Sequence, residues 1–371
     1  MKNYFALSMF CLFSIACSQD DQIDEVDQGD DNNEPSPEQT YFPPVDGTEW
    51  QEASMEDLNW DETQLDQLFT YLQDKNTRAF IVLKNGKIAI ENYWGNNIVE
   101  TSEFDEDTKW YWASAGKTLT ATLIGIAQQE GNLDINDKTS DYLGEGWTSM
   151  EQEKENLIKI KNQLTMTTGL DYEVSDLNCT QASCLQYKTD AGNQWFYHNA
   201  SYTLLKQVVE NATDTDYNDY TDEKLEQLIG MNGEWTTFND INLYWSTARD
   251  MARFGLLIAN DGQWEETSVL SDQDYLDQMI NTSQNINPSY GYLWWLNGKS
   301  SIIYPGLSDA FNNELATNAP DDLIAGLGKN GQFVEIIPSK DLVVIRLGES
   351  PDGSLVPIAF HNEMWEKLNL V

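Results

Sequence analysis

The chain has 371 residues, with 62 Asp and Glu against 21 Lys and Arg, for a formal net charge of −41. That length can bury one large core or two modest ones. So strong an acidic excess makes nucleic acid and anionic membrane surfaces poor partners, and it fits solubility or a salty habitat better than a specific acidic function. Part of the charge is local: residues 18–57 carry 14 acidic and no basic side chains, and the rest from Leu58 onward holds 48 against 20.

Met1-Lys2 is followed by an apolar run from Tyr4 to Ala16. It is too short for a permanent membrane helix and reads as a secretory signal over residues 1–16. Ser14-Ile15-Ala16-Cys17 resembles a bacterial lipobox, which implies cleavage before Cys17 and acylation of its thiol. The alternative is a soluble export signal that happens to contain a cysteine. Ser18-Gln19-Asp20-Asp21 resembles the acidic export tags of some Gram-negative surface lipoproteins. The expectation is a periplasmic or cell-surface lipoprotein that touches the membrane only through its anchor. Residues 17–46 are rich in Asp, Glu, Asn, Gln and Pro, cannot bury enough apolar area to offset ordering entropy, and read as a disordered acidic tether. The folded domain is expected over 47–371.

Two apolar runs, 79–83 and 88–93, flank Lys84-Asn85-Gly86-Lys87, a hairpin with an Asn-Gly turn. Residues 114–130 are helical and apolar nearly all round, hence central and buried, and Gly131-Asn132 ends them. Helical patterns continue over 201–211, 221–229 and 248–260. Strand patterns return at 323–326, 331–337 and 342–347, before a closing helix over 355–368. Strands at both ends with helices between them imply an α/β (α+β) fold: one sheet built from distant segments, an inserted helical lobe, and a cleft between the two. Cys11 leaves with the signal. Cys179 and Cys184, five residues apart in an exported chain, are expected to pair. A metal pair is the alternative, with only His198 and His361 to complete it, and neither metal nor cofactor is expected.

Ser114-Ala115-Gly116-Lys117 is an S-x-x-K motif. On a helix, residues i and i+3 share a face, so the lysine amine reaches the serine hydroxyl. The helix N-terminus presents free N–H groups to a forming anion. A buried lysine beside another cation loses its proton near neutral pH and can act as a base. The bland reading is an N-cap serine with an incidental lysine. Tyr197-His198-Asn199 offers a phenol for proton relay and a carboxamide to hold the lysine or a substrate carbonyl; a packed aromatic before a helix is the alternative. Lys329-Asn330-Gly331-Gln332 enters a strand whose edge a substrate can line, with an ammonium nearby and the Gln332 N–H as a second oxyanion donor beside that of Ser114.

Together these motifs resemble the S-x-x-K, Y-x-N and K-T-G set of class C β-lactamases, D-alanyl carboxypeptidases and related esterases. The resemblance extends to residues 164–170, 246–255 and 290–295. It implies a β-lactamase/DD-peptidase-like fold, with an antiparallel sheet flanked by terminal helices. It also implies Ser114 as nucleophile, Lys117 as general base, Tyr197 as proton relay, Asn199 as an orienting group and Lys329 as a source of positive potential. Asn330 and Gln332 depart from the lactamase pattern of short hydroxyl residues and are similar to the esterase and nylon-oligomer-hydrolase branch. A small ester, amide or peptide is the implied substrate. The alternatives are a D-Ala-D-Ala carboxypeptidase or a penicillin-binding sensor with little turnover. Trp110, Tyr111, Trp112, Trp195 and Phe196 either pack the core or line a wide aromatic acyl pocket.

Overall fold

The computed structural model describes residues 39–54 and 58–371. The signal, Cys17 and most of the tether lie outside the described residues. A six-stranded antiparallel sheet runs in spatial order Lys87–Tyr93, Thr77–Lys84, Leu342–Gly348, Gln332–Ile337, Ile324–Gly328 and Trp295–Leu296. The first hairpin turns at Asn85 (φ 50°) and Gly86 (φ 79°), the left-handed pair that the Asn-Gly dipeptide favours. The chain's last hairpins complete the sheet, so strands from both ends pair directly, as in Ile81 opposite Ile345.

Alternation along Gln332–Ile337 explains the layers. Phe333 faces the terminal helices, its ring 6.0 Å from that of Phe360. Val334 faces the other way, close to Gly326 and Gly255. One face therefore packs on the helices Glu62–Asp74 and Ile358–Leu368, and the other on Ala248–Ala259 and the buried helix Lys117–Gln129. Helix Ala248–Ala259 starts at a reciprocal capping box between Thr247 and Asp250, which satisfies its first free N–H groups.

Two expectations change. Residues 39–46, assigned to the tether by composition, pack against the domain: Tyr41 N donates to Asn85 O at 2.9 Å, and Arg253 Nη2 donates to Pro44 O at 2.9 Å. Phe42 meets Trp264 edge-on at 5.1 Å. Tyr41 and Phe42 supply the apolar area that the acidic run before them lacks. Second, the inserted lobe is not wholly helical. Glu234–Phe238 and Ile241–Ser246 form a hairpin, joined by Trp110–Tyr111 into a three-stranded sheet. Its turn, Asn239-Asp240, has φ of 47° and 60° and repeats the logic of the first hairpin.

His361 belongs to the sheet–helix layer. Its Nε2 lies 2.5 Å from Glu335 Oε1, Trp365 Nε1 donates to Glu335 Oε2 at 2.9 Å, and His361 and Glu335 are both fully buried. Removing His361 leaves a buried Glu335 oxygen without its hydrogen-bond partner, which costs about 1–3 kcal/mol. His361→Ala is expected to lower the urea unfolding midpoint accordingly, while turnover per folded molecule stays near wild type. An unchanged midpoint would contradict this.

Candidate active site

The chain enters the site through Trp110–Tyr111, fixed to Trp245–Ser246, with Trp112 N donating to Tyr244 O at 2.9 Å. Ala113 then takes a left-handed φ of 49°, unfavourable for a residue with a Cβ, and Ser114 follows in a short 3₁₀ turn (Ala113–Gly116) that leads directly into the helix Lys117–Gln129. Gly328, at the end of its strand, packs against this turn. A Cβ there would lie 2.6 Å from Trp112 O and 3.1 Å from Ala115 N, so only glycine lets the strand edge approach the serine this closely.

Lys117 Nζ lies 3.0 Å from Ser114 Oγ and donates to Asn199 Oδ1 at 3.1 Å. The side chain is 2% exposed, and its amine sits over the rings of Tyr197 (4.9 Å) and Tyr202 (4.3 Å). Among the described residues no carboxylate forms an ion pair with it. Burial lowers its pKa to about 7. Burial alone is the cause of this shift, not the second cation expected from the sequence.

Tyr197 is set by aromatic neighbours. Trp295 stacks on it at 5.9 Å and Tyr290 meets it edge-on at 6.3 Å, which gives the 290–295 segment its role. Phe196 N donates to Met166 O at 3.0 Å, so the 164–170 segment fixes the residue before it. Burial pushes the Tyr197 phenol well above its usual range, opposed by a hydrogen bond with Ser114, so it is protonated at neutral pH. His198, between the two functional residues, is buried, and that burial lowers its pKa to about 4, which keeps it neutral.

Asn199 opens the short helix Asn199–Thr203. Its Nδ2 donates to Asn178 Oδ1 at 2.9 Å, and Ala200 N donates to Leu177 O at 2.9 Å. Asn178 precedes the disulfide Cys179–Cys184, so the cross-linked loop holds the carboxamide with its oxygen toward Lys117. Asn178 was not singled out from sequence; its place beside Cys179 was the available signal.

The Lys329-Asn330-Gly331-Gln332 segment differs in detail from its expected form as a strand entrance. Lys329–Gly331 is a 3₁₀ turn between two strands, with Asn330 at φ 66°. Lys329 lines the cavity. Asn330 Nδ2 instead donates to Tyr111 OH at 2.8 Å, and Gln332 is fully buried, its amide donating to and accepting from the Gly348 backbone at 2.6 and 2.9 Å. Neither side chain faces the cavity. Arg346, unforeseen from sequence, holds the turn from behind: fully buried, it donates to the carbonyls of Asn330 (2.6 Å), Gly331 (3.0 Å), Lys75 (3.0 Å) and Glu349 (3.0 Å). Burial lowers its pKa to about 9.

The cavity above Ser114 has a volume of about 380 Å³, and Lys117, Tyr197, Asn199 and Lys329 all reach it. Its apolar walls are aliphatic, from Leu177, Ile241, Leu243, Pro305, Leu355 and Val356. Trp110, Trp112, Trp195 and Phe196 are buried in the core, so packing, not an aromatic acyl pocket, accounts for them.

A central antiparallel sheet, flanking helices and a serine–lysine pair opening a buried helix define the β-lactamase-like class of folds. Residues 65–355 match the family described as Beta-lactamase, and the chain belongs to that family. It is 23% identical over 316 residues to an uncharacterized protein of Alkalihalophilus pseudofirmus, covering 76% of this chain and 87% of that one. It is 28% identical over 178 residues to Protein flp of Staphylococcus aureus, covering 44% of this chain but only 35% of the relative. Among solved structures, a Bacillus anthracis protein provisionally described as a 6-aminohexanoate-dimer hydrolase superposes with a TM-score of 0.66, 17% identity and 89% coverage of both chains. A penicillin-binding protein homolog from Caulobacter crescentus gives 0.64, with 11% identity over 84% of this chain and 98% of that one.

Proposed function

We propose that the chain is an exported serine hydrolase that cleaves an uncharged ester or amide through an acyl-enzyme on Ser114. The observation that carries this is the buried Lys117 amine, 3.0 Å from Ser114 Oγ with its pKa lowered to about 7. As Oγ attacks the carbonyl carbon, its proton passes to Lys117 Nζ, and the oxyanion forms beside the backbone N–H of Ser114; Gln332, the second donor expected from the sequence, is fully buried and does not line the cavity. Tyr197 gives its phenolic proton to the leaving oxygen or nitrogen and recovers one from Lys117. Water then releases the acid and restores the Ser114 hydroxyl. Lipid on Cys17 would tether the domain to a membrane, by the reading of the signal sequence given above.

The departures at 330 and 332 favour an ester or amide over a β-lactam. A lactam's carboxylate needs hydroxyl donors beside the cation, and here Lys329 has none from Asn330 or Gln332, whose side chains are turned away. One hydrogen bond to a charged group is worth roughly 1.5–3 kcal/mol, or about 10–200-fold in recognition. The expected result is that p-nitrophenyl butyrate exceeds nitrocefin in kcat/KM on one preparation. Nitrocefin ahead by about tenfold or more would overturn the assignment. Asn330→Thr would not restore the lactamase arrangement cleanly, since a β-branched residue is strained at φ 66°.

A further inference from the structure

A second cavity, of about 300 Å³, lies against the catalytic one and shares Pro305, Leu355 and Val356 with it. Tyr304, Leu307 and Ile358 complete its lining, and among the described residues no acidic one lines either cavity. Apolar side chains also stand exposed around this mouth. Leu355 is 61% exposed and Leu307 44%. Phe311, 44% exposed, packs against Tyr304 at 5.7 Å, and Phe238, 66% exposed, pairs across its hairpin with the cavity-lining Ile241. Where residues 58–371 carry 48 acidic against 20 basic side chains, such a collection of exposed apolar groups beside Ser114 marks a ligand surface.

We infer that the second cavity is a subsite for an extended apolar chain of the substrate. The preferred class is then an ester with a medium-length acyl chain that passes from Ser114 over Pro305 and Leu355. This rests on the serine-hydrolase reading and narrows it to a substrate class. The lining offers chain methylenes aliphatic contact and supplies no partner for a charged terminus. Each methylene taken out of water is worth up to about fourfold in kcat/KM, the equivalent of ~0.8 kcal/mol.

The test is a series of p-nitrophenyl esters from acetate to decanoate, each assayed below and above its micelle concentration, with wild type and Leu307→Asp. Octanoate is expected to exceed acetate by about 30-fold or more in kcat/KM. Leu307→Asp is expected to cut that ratio by about tenfold, and because the ratio is taken within one preparation, loss of folded protein cancels. A flat or falling chain-length profile, with acetate turned over, overturns the subsite and leaves the hydrolase reading standing. An octanoate advantage that appears only above the micelle concentration also overturns it, since the apolar rim would then serve a lipid surface. No turnover of any ester overturns the hydrolase reading and the subsite together.

Discussion

Ser114→Ala and Lys117→Ala are each expected to lose on the order of 10³-fold or more in ester turnover, with the double variant little worse than either single one. On the proposed mechanism the two groups act as one device: the amine is useful only where it can take the hydroxyl proton, 3.0 Å away, and the hydroxyl attacks only as that proton leaves. Independent contributions would multiply, so a double variant about 10³-fold below the single ones would contradict the coupling. The same pair sets a pH profile. A base works unprotonated, so kcat/KM should rise with pH through about 7, where Lys117 loses its proton, and level off above that. An ordinary exposed lysine, near 10.4, would push the plateau above pH 10. Stopped-time initial rates from pH 5 to 11 separate the two curves.

Tyr197→Phe is expected to cost about 10²–10⁴-fold in kcat, the usual worth of one proton-transfer partner. The substitution keeps the ring between Trp295 and Tyr290 and removes only the hydroxyl, so folding and the cavity walls should survive. Because the phenol is protonated in the resting site, the role proposed for it is donation, and the loss should be greatest for poor leaving groups. Comparing p-nitrophenyl and ethyl esters of the same acid checks this. Equal losses on both, or a loss under about tenfold, would assign Tyr197 to packing.

Much of this was legible in the sequence. The Asn-Gly hairpin, the apolar helix after Ser114 and the three late strands follow from residue spacing alone, because local pattern and final burial agree there. The hairpin at 234–246 is legible too, with alternating residues around Asn239-Asp240, although it lies between the helical patterns at 221–229 and 248–260 that dominate this stretch. Arg346 was not legible. It stands in an apolar strand, and its partners are backbone carbonyls from Lys75, Asn330, Gly331 and Glu349, brought together only by the sheet. Asn330 and Gln332 show the same limit. Sequence revealed that they lack the expected hydroxyls, while only the turn and the Gly348 contact revealed that neither side chain faces the substrate.

The proposed function turns on covalent attachment at Ser114. Treating the protein with a fluorophosphonate probe, then mapping the modified peptide by mass spectrometry, tests it most directly. One adduct per chain on Ser114, absent from Ser114→Ala and formed more slowly in Lys117→Ala, is the predicted result. An adduct on another serine, or equal labelling of Ser114→Ala, would contradict it.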